Sequence, residues 1–443
     1  MADHCASSGS WTDLPGDLLG LILQLLELPE ALAAAAVCTS WRSAAAAAGV
    51  PRGRTPWLIS WKTANCRSSE FRNLLGTRRT HKVSLPAGRR RLEWCGASHG
   101  WLVASDGLSN LVLYHPFTFA TILLPPITDL ECVKGVYDAD GGIVGYRFGK
   151  YLQHEPSQPG AQDLGTWFYQ KVVLSCDPSH GDDYTAVAIH YDANCFSFTR
   201  AREGRWRLAS ALPDGGDDRY ADCLYHDGRF YTVTLRGVVE AWDLCGLQEP
   251  NKEVIIADGD KRYRRVLTRF LVSTACGRLL QIRTVRRTQH PREIKVEALQ
   301  VNVEVHMLVA LSSSAALPEH AVFVGLNHSV CLPIREFPEL RPNCVYFTTP
   351  RLKHHDNFGL RGWSGVRVYD LENQTSERAF PGFGPDYAVF WPSELWYIPN
   401  LSRMRSLDAM DGFCFKLEEV DSLICDIKLE VVDFGKGSWA SVS

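Results

Sequence analysis

Nucleophiles, bases and metal ligands at fixed spacing are what a reaction centre requires, and this sequence supplies few of them. His354-His355 are of the right type for a transition metal, but two adjacent histidines without a third ligand at suitable spacing read as loop residues. Gly362-Trp-Ser-Gly365 is a turn and not a nucleophile elbow, and neither a His-Glu-x-x-His nor a Walker A loop occurs. Aspartate and glutamate are abundant, so a catalytic carboxylate pair is neither excluded nor indicated. The 14 cysteines run from Cys5 to Cys425 with no C-x-x-C, and a chain of 443 residues does not need disulfide staples, so reduced and mostly buried thiols are expected. No catalytic residue, metal or cofactor is assigned, and the chain is read as a non-enzyme.

Binding is the remaining class of function, and charge narrows it. With 47 basic and 50 acidic residues the net charge is -3, which provides no global field toward nucleic acid or an acidic membrane. Basic clusters occur at Arg78-Arg79, Arg89-Arg91, Lys261-Arg262 with Arg264-Arg265, and Arg286-Arg287. They suit an import signal or an acidic ligand, but no aromatic-interleaved nucleic-acid motif accompanies them, and solvated turns are their default reading. Neither nucleic acid nor membrane is expected as a partner. The first ten residues lack a basic and then apolar secretory pattern, and no stretch of eighteen apolar residues occurs, so an intracellular protein of the nucleus or cytoplasm is expected. Asn-x-Ser/Thr matches at Asn327, Asn373 and Asn400 then carry no glycosylation meaning.

The elements behind any binding surface change character near residue 50. Residues 30 to 48 are dominated by alanine, whereas the sequence beyond Trp57 is rich in Val, Leu, Tyr, Phe and Gly. Asp13 is expected to cap a first helix with a polar stripe at Asp13, Asp17, Gly20, Gln24 and Glu27. Leu14, Leu18, Leu21, Ile22 and Leu25 form one apolar face, and Leu19, Leu23 and Leu26 widen it beyond what packing on one side requires. Pro29 starts a second helix to about Val37, and Cys38-Thr-Ser-Trp41-Arg42 leads into a third through Ala44 to Ala48. Three helices in about forty residues cannot bury that much apolar surface among themselves, so a partner protein is the natural cover. The segment 51–56, with Pro51 and Pro56, is a short stiff linker.

Beyond it, short apolar runs alternate with Gly, Asp, Pro and Asn turns, as in Gly100-Ala104, Asn110-Tyr114, Lys171-Leu174, Arg229-Val233, Gly237-Trp242, Gly277-Ile282, Val322-Val324, Cys344-Phe347 and Gly365-Asp370. A weak unit recurs, a Gly turn, an apolar strand, a second turn and a strand ending in an aromatic and Asp or His. Units of about 40–50 residues with four strands each are the spacing of propeller blades, which gives about six blades over 57–400. Between 130 and 170 the spacing is irregular. A two-sheet sandwich is the competing fold, disfavoured by length. The expected fold class is mainly β, a three-helix unit at 11–50 followed by a β-propeller, with 401–443 closing or flanking it.

Residues 11–43 then resemble an F-box, through Leu14-Pro15, Ile22-Leu23, and Val37-Cys38 with Trp41-Arg42 in order. The remainder resembles the KIB-type β-propeller that follows F-boxes in a large plant family. That resemblance rests on Ser98-His-Gly-Trp-Leu102, Leu123-Leu-Pro-Pro126, Tyr225-His-Asp-Gly-Arg-Phe-Tyr231, Phe323-Val-Gly-Leu-Asn327 and Asn343-Cys-Val-Tyr-Phe347, among others. Tyr114-His115-Pro116 stands where an Asn-Pro is usual, and Ser312 to Leu317 reads as polar and loosened.

The resemblance implies the substrate-recognition subunit of an SCF-type cullin-RING E3 ubiquitin ligase. The helices would bind a Skp-type adaptor, through it a cullin and RING subunit, and the propeller would bind an unidentified target. By motif, Leu14, Pro15, Leu18, Ile22, Val37, Cys38 and Trp41 are assigned to the adaptor, with Trp41 as the central aromatic anchor. A ligase-independent propeller scaffold and an orphan propeller hydrolase are the alternatives. Target-binding loops are expected within 155–166, 212–219 and 351–362.

Overall fold

A computed structural model describes residues 14–49, 55–61, 68–74, 80–84, 92–148, 159–181, 183–191, 194–213, 216–246, 249–257, 259, 263–287, 294–313, 316–348, 366–379 and 394–400. The chain divides into two compact units. One comprises Met1–Arg54, Phe117–Phe119 and Asn400–Ser443, the other Thr55–Pro116 and Ala120–Pro399.

The larger unit is a six-bladed β-propeller. Blade 1 comprises Leu395–Tyr397, Trp57–Trp61, Ser68–Asn73 and Thr80–Ser84, and blade 2 comprises Glu93–Ser98, Trp101–Ser105, Leu111–Tyr114 and Thr121–Leu123. Blade 3 comprises Tyr169–Leu174, Thr185–His190, Cys195–Arg200 and Arg207–Ala211, and blade 4 comprises Tyr220–His226, Arg229–Thr234, Val239–Asp243 and Asn251–Ile256. Blade 5 comprises Val266–Ser273, Leu279–Arg286, Ile294–Asn302 and Met307–Ala310. Blade 6 has five strands, ordered Val330–Pro333, His320–Val324, Cys344–Phe347, Arg367–Asp370 and Thr375–Arg378, the second and third of them parallel. The first strands of blades 1 to 6 meet in succession, and Trp396 of blade 1 packs on Phe323 of blade 6.

Strand interiors are buried on both faces because alternate side chains enter different inter-blade cores. In blade 3, Val172 and Leu174 join Trp101, Val103 and Leu113 of blade 2, while Val173 joins Phe230 and Trp242 of blade 4. Closure is non-covalent. Leu395–Tyr397 pairs antiparallel with Trp57–Ile59, so a strand from one end of the chain completes the blade begun at the other. The closing strand lies ahead of 401–443, which falls outside the described residues.

Tight turns use the backbone their sequences require. His99-Gly100 and Asp227-Gly228 form two-residue hairpin loops with φ of 51 and 82 degrees, and 46 and 80 degrees. Two successive positive φ angles match the strands' right-handed twist, and they explain a Gly at the second position. The irregular spacing between 130 and 170 is a separate hairpin, Val133–Tyr137 with Ile143–Phe148, outside the six blades. Ser312 to Leu317 is not loosened at its end, since Ala316 and Leu317 are buried in the core between blades 5 and 6. Leu317 N donates to Asn343 Oδ1 at 3.1 Å.

Polar contacts cross the centre. Lys171 Nζ lies 2.8 Å from Asp222 Oδ1, joining blades 3 and 4. It also donates to Gly325 O at 2.8 Å and Asn327 O at 2.6 Å, in the segment between two strands of blade 6. Asp222 Oδ2 accepts from Leu271 N of blade 5 at 2.8 Å, and His328 N donates to Ala97 O of blade 2 at 2.7 Å. Burial pushes the Asp222 carboxyl up, against the pull of the Lys171 ammonium. Gly325 is required here, because a Cβ would collide with Thr348 Oγ1. Between blades 1 and 2, Tyr397 Oη donates to Gly100 O at 2.9 Å.

The thiols are less uniformly buried than expected. Cys95, Cys195, Cys223 and Cys344 are buried, whereas Cys176, Cys245 and Cys276 are exposed at turns, where no inter-blade core reaches them.

Two outcomes follow for the propeller. Asp222→Ala strands a buried ammonium and should cost about 3–5 kcal/mol in chemical denaturation; a loss below about 1 kcal/mol would contradict the bridging role. His190 is buried, stacked on Phe168 and 2.8 Å from Ser197 Oγ, and burial lowers its pKa from 6.5 to about 3. The unfolded chain takes up this proton first, so stability should fall as pH drops below about 6.5, by up to about 1.4 kcal/mol per pH unit from this group. His190→Gln should flatten denaturation midpoints measured across that range.

Candidate adaptor-binding surface

The smaller unit contains α1 (Gly16–Leu25), α2 (Leu28–Ala36) and α3 (Thr39–Ala47), which pack on one another. Pro15 precedes α1 in an extended conformation, and its carbonyl accepts from Leu19 N at 3.0 Å. Proline suits this position because its fixed φ leads into the helix. Asp13 lies outside the described residues. A capping box starts α2, with the Glu27 side chain accepting from the backbone of Glu30 and Glu27 N donating to Glu30 Oε2 at 3.1 Å. Gly49 follows α3 at φ 64 degrees, a left-handed stop suited to glycine.

The leucines of α1 divide between two faces. Leu19 and Leu23 are fully buried, and a Cβ on the buried Gly20 would meet Ala48 Cβ at 3.5 Å. Gly20 therefore belongs to the packing face and not to the expected polar stripe, which reduces on α1 to the exposed Asp17 and Gln24. Leu18 and Leu21 face outward at 49% and 59% exposure, and Ile22 is half-buried. Spacing of three and four residues from Leu18 puts these three on a single stripe of α1, while Leu14 is half-buried ahead of the helix. Val37, after α2, is 39% exposed.

Residues 11–48 match the F-box-like family model, and residues 70–370 match that of the KIB1-4 β-propeller. The chain belongs to the KIB1-4 β-propeller family and carries an F-box-like segment ahead of the propeller. This is the domain pairing of F-box substrate-receptor proteins. Its relatives include the Arabidopsis thaliana F-box protein At1g10110, 22% identical over 78% of this chain and 86% of its own length. The candidate F-box protein At4g22170 of the same plant is 32% identical over 62% of this chain and 70% of its own length. The Arabidopsis F-box/kelch-repeat protein At1g57790 is 31% identical over 27% of this chain and 33% of its own.

In this F-box propeller chain the seven residues assigned by motif do not share one environment. Pro15, Leu18 and Val37 are exposed, and Leu14, Ile22 and Cys38 are half-buried. Trp41 is 2% exposed and lies with the buried Ala45, four residues on, along one side of α3. In a unit whose other helices offer mainly alanine and leucine, the largest ring fills the interior. In the free chain Trp41 is therefore part of the buried side of α3 and not of the exposed surface. Leu21, 59% exposed, was missing from the motif assignment although its place three residues after Leu18 marks it.

Catalytic and target-binding readings were also placed. Among the described residues, no group of three or more His, Cys, Asp and Glu could hold a metal ion. His354-His355, Gly362-Trp-Ser-Gly365 and the loop 351–362 lie outside the described residues, as do 155–158, while the rest of the expected loop 155–166 ends in a short helical turn, Leu164–Thr166, whose Leu164 and Gly165 are buried. Within 212–219, Asp217 pairs with Arg236 at 3.4 Å, and Asp218 Oδ1 accepts from Arg236 N at 2.9 Å. No target-binding residue is identified among the expected loops.

If the outer stripe of α1 is spare surface, Leu18→Asp with Leu21→Asp should change stability by no more than about 0.5 kcal/mol per site. Leu23→Asp should cost about 3 kcal/mol or more by placing an unpaired charge among the helices. Far-ultraviolet circular dichroism during denaturation separates the two; equal destabilisation would contradict the division into two faces.

Proposed function

We propose that this chain is the substrate-recognition subunit of an SCF-type cullin-RING E3 ubiquitin ligase. Its helical unit would bind a Skp-type adaptor, which leads to a cullin and RING subunit, and its propeller would hold the target protein. The observation that carries the reading is the apolar stripe of Leu18, Leu21 and Ile22 on a helix of the F-box-like family, with two of the three leaving about half their surface in water. Burying such side chains is worth about 25 cal/mol per Å2, so a complementary groove would gain several kcal/mol there before the costs of association.

In this reading the chain performs no bond-making step. It raises the effective concentration of target lysines near the ubiquitin donor, and proximity supplies the rate. Such a complex would operate in the nucleus or cytoplasm. The domain pairing supports the receptor role; the identity of the target is not part of the proposal.

Size-exclusion chromatography of the full chain with a recombinant plant Skp-type adaptor tests it. A stable complex is expected, weakened at least about tenfold by Leu18→Asp with Leu21→Asp. A folded wild-type chain that fails to bind any Skp-type adaptor would overturn the ligase role. Adaptor binding that survives both substitutions would instead overturn the assignment to this stripe.

A further inference from the structure

Three thiols among the described residues are exposed, Cys176, Cys245 and Cys276, and the receptor role uses none of them. Cys276 stands in the tight turn between the first two strands of blade 5, and that turn is built around Thr274. Thr274 N donates to Arg278 O at 3.0 Å, Gly277 N donates to Thr274 O at 2.9 Å, and Arg278 N donates to Thr274 Oγ1 at 3.0 Å. Thr274 is buried, and its Oγ1 lies 3.2 Å from Cys276 Sγ. The Arg278 side chain is a second hydrogen-bonding group at the same sulfur. A thiolate only accepts hydrogen bonds, so donors fixed beside the sulfur favour it over the thiol. Thr274 and then Arg278 hold the Cys276 thiol down, to about 7 from its ordinary 9.0, and about half of it is thiolate at neutral pH.

A second thiol is set against the same strands. Cys331 lies in the first strand of blade 6, which packs along the first strand of blade 5. It is paired with Val322, and its side chain packs on the core that holds Val272 and Leu280, the cross-strand pair two residues in from Thr274 and Arg278. Cys331 is half-buried; burial, and next the Cys276 charge, push it up to about 12, with Arg278 pulling the other way. Arg278 thus acts on both thiols, one from each side of the seam between blades 5 and 6. An exposed thiolate with a protonated second thiol near it is the arrangement that senses oxidants, the first sulfur reacting and the second resolving.

We propose that Cys276 is a site of oxidation by hydrogen peroxide and that Cys331 resolves it, closing a disulfide across the seam between blades 5 and 6. The Cys276 thiolate attacks one peroxide oxygen. An S–O bond forms as the O–O bond breaks, and the departing hydroxide takes up the proton that the thiol had released and becomes water. The sulfur is oxidised by two electrons to a sulfenic acid, and the peroxide is reduced. The Cys331 sulfur then attacks the Cys276 sulfur; an S–S bond forms as the S–O bond breaks, and hydroxide leaves as water with the Cys331 proton. Two thiols and one peroxide give one disulfide and two waters. Neither cysteine belongs to the helical unit, so the pair does not depend on adaptor binding.

The test follows individual cysteine peptides of the full, pre-reduced chain by mass spectrometry, with the exposed Cys176 and Cys245 as internal controls. Iodoacetamide should alkylate Cys276 with a pH midpoint near 7, and at neutral pH at least about tenfold faster than Cys245, whose thiol burial pushes up. Hydrogen peroxide equimolar with the chain should give a Cys276–Cys331 disulfide peptide that dithiothreitol reverses. In Cys331→Ser the same dose should leave a sulfenic acid on Cys276 that dimedone captures, and in Cys276→Ser no disulfide to Cys331 should form. Arg278→Gln should slow oxidation of Cys276 several-fold while the denaturation midpoint stays unchanged. Cys276 reacting no faster than Cys176 and Cys245 would overturn the oxidation site. Sulfenic acid in the wild type without a disulfide to Cys331 would overturn the pairing, and an unchanged rate in folded Arg278→Gln would overturn the role of the arginine.

Discussion

The ammonium of Lys171 occupies the position on which the ring most depends. A propeller blade pairs its strands internally, so adjacent blades are held by side-chain packing and by whatever polar contacts cross the centre. Lys171 meets Asp222 and two carbonyls of the segment after Val324, and Asp222 accepts from the backbone of Leu271. One buried ion pair therefore joins blades 3, 4, 5 and 6. Such a pair gives little net stability relative to apolar residues of the same volume, but losing one member is costly. Its contribution is to register, since the ammonium and carboxylate find partners only when the four blades meet in this order. Rigid presentation of the surfaces between blades rests on that register.

How much of this was legible in the sequence depends on how local the cause was. Hairpin turns announce themselves by residue type, so His99-Gly100 and Asp227-Gly228 marked strand ends correctly. The apolar runs marked most strands, and the irregular stretch after residue 130 reflected a real departure, a hairpin inserted between blades 2 and 3. Blade 6 was illegible in detail, because its parallel pairing of Ala321–Val324 with Cys344–Phe347 needs a crossover past the intervening strand Val330–Pro333, which leaves no periodic trace. The same holds for Lys171 and Asp222, a lysine and an aspartate 51 positions apart within otherwise apolar strands.

The helical unit shows a different limit. Its excess of leucine in α1 was readable as a demand for cover on two sides, and the structure meets one side with Leu19, Gly20 and Leu23 against its own helices. Motif matching assigned seven residues to the other side without regard to direction. Of the seven, Trp41 is buried with Ala45 on one side of α3, whereas Pro15, Leu18 and Val37 are exposed. Gly20 was misread for a related reason: a residue without a side chain counts as polar in a pattern but packs as a close contact.

The outward stripe of α1 and the propeller are separate devices, and their pairing is what the F-box family supplies. Hydrogen exchange of the full chain, with and without a Skp-type adaptor, tests that division most directly. The account predicts new protection across α1 and around Val37, with blade amides unchanged. Protection confined to the propeller, with α1 exchanging as it does in the free chain, would contradict it.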